Sequence, residues 1–119
     1  MINLTQHTAT PDQIAAGVVD LPAYERSRLT CFLTVDALPS QEEILRRCGL
    51  IANLAICHSS AMIGGAPWMM AALERALLAR AIVPMYSFSV RESVEEITAD
   101  GSVRKVAIFR HRGFIEAVK

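Results

Sequence analysis

The residues best suited to chemistry are a pair of glycines, two histidines and a set of basic side chains near the C-terminal end. Gly64-Gly65-Ala66-Pro67 follows the apolar run Ser60-Ala61-Met62-Ile63 and precedes a helical pattern that begins at Trp68. Glycines let an anionic group approach the backbone, and a helix N-terminus offers free N–H donors at the positive end of its dipole. Arg91, Lys105 and Arg110 could add positive charge, and His7 or His111 could move a proton. The Gly-Gly unit is not a Walker loop, because no Gly-Lys-Ser/Thr follows, and it lacks the full dinucleotide glycine pattern. The same Gly-Gly step also serves as a plain tight turn.

Other side chains carry weaker signals. Ser87 and Ser89 alternate with Tyr86 and Phe88 and so share one strand face, but no nucleophile-elbow pattern surrounds either. Cys57-His58 has no Cys-x-x-Cys or second His nearby, which disfavours a metal site. Trp68, Met69 and Met70 could flank a flat base, although such a stripe more often serves core or subunit interface.

The elements that must position these residues follow from periodicity and caps. Ile2 to Gln6 alternates as a short strand. Thr10, Pro11 and Gln13 form a helix start, and Gly17 ends that helix. Val18 to Leu21 is β-like. Ala23 to Val35 is helical, with Leu29, Phe32 and Leu33 inward. Ser40 and Glu43 make a capping box for a helix that runs to about Cys57, with Ile44, Leu45, Cys48, Ile51, Ala52 and Ala55 on one face. Trp68 to Arg80 is the next helix, and Ala81 stands where a Gly is expected. Ile82 to Ser89 is the strongest strand. Its extended pattern continues to Ile97, and Asp100-Gly101 predicts a two-residue hairpin turn back into Val103 to Phe109.

That order predicts a single Rossmann-like three-layer α/β domain over residues 1–119, with a mostly parallel sheet of about five strands and an antiparallel C-terminal edge hairpin. Ligands of such sheets sit beyond the carboxyl ends of the parallel strands, where the strand order reverses. The rule selects Thr5, Gln6 and His7, then Gly64, Gly65 and Ala66, then Ser89, Arg91 and Glu92. A two-residue turn would set Arg91 opposite Arg110 and Val90 opposite His111. The basic strip from Val103 to Gly113 would then return to the ligand edge.

Composition bounds the rest. The chain has 119 residues, is 52% hydrophobic and carries twelve basic and twelve acidic residues. Zero net charge argues against a duplex-DNA-coating protein. No run approaches the ~20 apolar residues of a membrane helix. The N-terminus does not read as a signal peptide, and three cysteines without metal or redox spacing suggest reduced thiols in a cytoplasmic protein. No cofactor is expected.

Several stretches together carry a resemblance. Asn3-Leu4-Thr5-Gln6-His7, Gly64-Gly65-Ala66-Pro67, Tyr86 to Ser93, Phe109-Arg110-His111 and Gly113-Phe114 look like a family of small uncharacterised bacterial proteins, over nearly the whole chain. More distantly, the layout resembles CRISPR-associated Rossmann-fold (CARF) sensor domains and stand-alone ring nucleases. That resemblance implies a homodimer binding cyclic oligoadenylate through Thr5, Gln6, His7, Gly64, Gly65 and Ala66. It implies assistance to metal-independent cleavage from Arg91, Lys105, Arg110 or His111. The expectation taken forward is a nucleotide or phosphate-ligand binding domain, with or without turnover. The alternative is a non-enzymatic homo-oligomer.

Overall fold

The computed structural model describes residues 1–119. Its elements in chain order are β1 (Ile2–Asn3), α1 (Pro11–Ala15), β2 (Val19–Asp20), α2 (Ala23–Leu33), α3 (Gln41–Asn53), β3 (Ser60–Met62), α4 (Pro67–Leu78), β4 (Val83–Ile97) and β5 (Val103–Glu116). They form a mixed α/β fold around one five-stranded sheet in the order β2-β1-β3-β4-β5. The first four strands are mutually parallel, and β5 returns antiparallel along β4.

The helix starts are written locally. The Thr10 side chain accepts from the Gln13 backbone while Gln13 reaches back to the Thr10 N–H, so α1 opens with a closed capping box. Ser40 caps α3 through the Glu43 N–H, but no bond returns from Glu43 to the Ser40 N–H, so the expected box is half formed. Glu43 also binds Arg46 and Arg47, and those two guanidinium groups lower its pKa to about 2. The end of α4 is less usual. Ile82 N–H bonds Leu77 C=O and Ala81 N–H bonds Leu78 C=O, the paired bonds of a Schellman stop. Ala81 takes the left-handed backbone, φ 58°, that this stop requires.

Alternation along β3 divides the core. Ala61 and Ile63 join a cluster with Ile2, Leu4, Leu29, Cys48, Ile51, Leu73 and Leu77, to which α2, α3 and α4 all contribute. Met62 joins a small second cluster with Ala9 and Val18 on the other side. The two sides of the core are therefore unequal. The five-residue α1, which follows Ala9, buries none of its side chains.

Two expectations need correction. Leu45 does not share the buried face of α3 but stands 58% exposed. The hairpin is not closed by two residues. Thr98 N–H bonds Ser102 C=O, so Ala99-Asp100-Gly101 forms a three-residue loop with Gly101 at φ 84°. The Asp100 carboxylate takes the Ser102 N–H and hydroxyl and the Thr98 hydroxyl, which hold its pKa well below the usual range. The extra loop residue moves the pairing by one. Arg91 faces Phe109 rather than Arg110, and Val90 faces Arg110 rather than His111. A bulge between Phe88 and Ser89 then absorbs the offset, with Ser89 opposite His111 and Phe88 opposite Gly113.

Candidate functional site

β1 and β3 lie side by side and parallel, yet the chain leaves them in opposite directions across the sheet, β1 toward β2 and β3 toward β4. The loops that follow them must diverge, and a crevice opens between them. It is a cavity of about 740 Å³, within the usual size range of small-ligand sites. Thr5, Gln6, His7 and Thr8 supply one wall, and Gly64, Gly65 and Ala66 another. Thr10 and Gln13 of the α1 region, Tyr86 and Ser87 of β4, and the apolar Leu33, Met62 and Ile63 complete the lining.

Each wall has a physical reason for its shape. Asn3 is 4% exposed in a strand otherwise made of Ile2 and Leu4, and all four of its side-chain hydrogen bonds stay within the chain. Its amide donates to His7 C=O at 2.7 Å and to the Asp20 carboxylate at 2.8 Å. Its carbonyl accepts from Thr5 N–H at 2.9 Å and from the Thr5 hydroxyl at 2.7 Å. Asp20 in turn accepts from Ala9 N–H. The 5–9 loop is thus pinned at three points to strand side chains. Across the crevice, a Cβ on Gly64 would touch Thr5 Cγ2 at 3.6 Å, so the two loops meet in van der Waals contact. Gly65 holds φ 151°, a backbone that L side chains rarely adopt. The N–H groups of Gly64, Gly65 and Ala66 donate to nothing within the chain.

Tyr86 closes one side. It donates to a Glu74 carboxylate oxygen at 2.5 Å. Burial, then Glu74, pushes its pKa upward, so the phenol remains a neutral donor at ordinary pH. Ser87 links the cavity to its surroundings. Gln13 Nε2 donates to Ser87 Oγ at 3.2 Å, and Ser87 Oγ stands 3.3 Å from His111 Nδ1. The His111 ring packs edge-on against Phe114 at 4.9 Å. No three His, Cys, Asp or Glu side chains gather closely enough to share a metal ion, and Cys31, Cys48 and Cys57 are free thiols.

The structure brings together Thr5, Gln6, His7, Gly64, Gly65 and Ala66, all of them in the cavity wall. Ser89 and His111 line a smaller hollow beside α1, of about 240 Å³, which shares Thr10 and Gln13 with the first. Arg91, Lys105 and Arg110 line neither. Arg110 bonds Glu92 at 2.5 Å, Arg112 bonds the same carboxylate at 2.6 Å, and Arg104 bonds Glu96 at 3.0 Å. Lys105 lies opposite Glu95, nearer the hairpin tip. The basic strip that the sequence placed at the ligand edge runs out along the hairpin instead, and most of it is already paired. The sequence gives Asn3, Asp20 and Gln13 no role in the site. A polar Asn between Ile2 and Leu4 was the available signal, because a buried amide must find partners.

The chain matches the model of the uncharacterised protein MJ1673 family over residues 1–115 and belongs to that family. No curated protein and no solved structure matches it.

Proposed function

We propose that this member of the MJ1673 family is a binding module for a small phosphorylated ligand, with a mononucleotide as the class that fits best. The reading takes the fold as Rossmann-like, with the ligand at the strand-order switch. One observation carries it. Three unused N–H donors at Gly64, Gly65 and Ala66 border a 740 Å³ cavity at the start of α4. A phosphate there meets backbone donors and the helix dipole together. Leu33, Met62 and Ile63 offer an apolar wall for a base, and Thr5, Gln6, Thr8, Thr10 and Gln13 offer partners for sugar hydroxyls.

The charge of the lining limits the ligand. It contains no Lys, Arg, Asp or Glu. Backbone donors can offset about one phosphate, whereas a cyclic oligoadenylate would bring several charges into a site without a cation. Metal-independent cleavage is also less well supported than binding. Of Arg91, Lys105, Arg110 and His111, the side chains expected to assist it, none lines the cavity, and of the two histidines only His7 does.

The test is calorimetric titration with AMP, GMP, cyclic tetraadenylate and inorganic phosphate, repeated on Ala66→Asp. Ala66 is the N-cap of α4, in extended backbone, with no side-chain cap of its own. An Asp there supplies the missing cap and stabilises the fold by ~1 kcal/mol. Its carboxylate also sets a negative charge beside the Gly64–Ala66 N–H groups, where it would repel a bound phosphate. The expected result is a mononucleotide bound by the wild type and lost in a variant of higher melting temperature. A variant that binds as well as the wild type would remove phosphate from that loop.

A further inference from the structure

The strongest unexplained feature lies outside the cavity. Only Val83, Pro84 and Met85 of β4 pair with β3, and from Tyr86 outward β4 pairs with β5 alone. The two strands leave the body as a ribbon. The long axis of the molecule is 56 Å against 32 and 30 Å for the others, and the radius of gyration is 17.0 Å. A compact chain of this length should have a radius near ~13.5 Å. A two-stranded ribbon is marginally stable by itself in water, so this one needs cover.

One face of the ribbon continues the apolar side of the body, whereas on the other face Glu95, Lys105 and Ser93 separate the exposed Ile97 and Val103 from Phe109. Near the body the first face carries Tyr86, which α4 holds through Glu74. Beyond α4 it continues through Phe88, Val90 and Val94 on β4 and Val106 and Ile108 on β5, with Val94 directly opposite Val106. The charged groups on this face are paired within the ribbon: Glu92 with Arg110 and Arg112, Glu96 with Arg104. An apolar strip beside neutralised charges is the anatomy of a protein interface. Residues 86–115 carry five basic and four acidic side chains, too even a balance for a nucleic-acid ribbon.

We infer that this face of the β4–β5 arm is a homodimerisation surface, packed against the same face of a second copy about a two-fold axis. Self-complementarity argues for a second copy. With the arms antiparallel, the Glu96–Arg104 pair near one tip meets the Glu92–Arg110–Arg112 cluster near the root of the other. Each end offers both signs, so no like charges are forced together. The span from Ser89 to Ile97 gives an arm of ~30 Å. A stable interface needs ~800 Å² from each partner, or ~10% of the 7611 Å² surface of the chain. A ribbon of that length seated along one face is of the right order.

The experiment is molar mass by light scattering across a concentration series. The wild type is expected at twice 13.0 kDa. Val94→Glu and, separately, Ile108→Arg each place a charge in the apolar strip, and each is expected to run at the mass of one chain. Ser93→Lys, on the opposite face, should remain dimeric. Circular dichroism and melting temperature identify any variant that fails by unfolding; Val106→Lys then replaces it. A monomeric wild type at 100 µM would overturn the inference. So would a folded Val94→Glu or Ile108→Arg protein that stays dimeric, since the copies would then associate elsewhere. Neither outcome bears on ligand binding at Gly64–Ala66.

Discussion

At the scale of single residues, the site depends most on a side chain that lies behind its wall rather than in it. Asn3 satisfies both of its amide protons and two acceptor positions, and every partner belongs to the cavity wall or to the aspartate that braces it. Buried, unpaired partners are what make such a loss costly. Asn3→Ala would leave the His7 carbonyl, the Thr5 N–H and the Asp20 carboxylate each short of one bond. The expected destabilisation is ~2–4 kcal/mol, at the level of several lost bonds. Hydrogen exchange should show the amides of Thr5 to Ala9 exchanging faster while those of α3 and α4 keep their order of protection. Asn3→Asp should be no milder, because it removes both donors and sets a second carboxylate beside Asp20. If the 5–9 amides kept wild-type protection in either variant, Asn3 would not be what holds that loop.

At the scale of elements, what could be read from sequence tracks how local each determinant is. The Thr10–Gln13 box and the Ser40–Glu43 cap are complete within four residues, and both stand where the spacing put them. The Gly64–Ala66 turn is equally local. The arm register is not, because it depends on whether the loop holds two residues or three. Asp100 decided this by capturing Ser102 and Thr98, a side-chain contest that the dipeptide Asp-Gly does not reveal. The register sets which side chains face one another along the arm, but Arg91, Lys105 and Arg110 miss the ligand edge because the parallel part of β4 ends at Met85 and the arm carries them beyond it. Ala81 shows the reverse case. The sequence lacks the expected glycine, yet the stop forms, and Ala81 bears a left-handed backbone as a result. Ala81→Gly should relieve that strain. Left-handed backbone costs an L residue ~1–2 kcal/mol, and the greater freedom of glycine in the unfolded chain returns part of the gain. The expected net stabilisation is ~0.5–1 kcal/mol in urea unfolding. A destabilised variant would mean that the Ala81 methyl makes contacts worth more than the strain.

At the scale of the whole molecule, the body and the arm have separate energetics. The larger buried cluster ends, in sequence, at Ile82. The smaller one draws from β4 and β5 only Phe114, at the root of the arm and partly buried. The distal ribbon therefore contributes almost nothing to the apolar burial that holds the body together. Its own order comes from cross-strand pairing, the Glu92 and Glu96 ion pairs and the Asp100 loop. Replacing residues 90–110 by Asn-Gly would join Ser89 to His111, which already face one another, by a turn suited to a two-residue hairpin. The Ser87–His111 contact and the cavity wall lie on the retained side of that cut. The shortened chain should melt within a few degrees of the monomeric Ile108→Arg protein. Small-angle scattering should give a radius of gyration of ~13 Å, as expected for a compact chain of that length. It should also keep whatever mononucleotide affinity the full chain shows. A body that failed to fold without the arm would show that the ribbon supports the sheet as well as extending from it. Loss of ligand binding with the fold intact would place part of the ligand site on the arm.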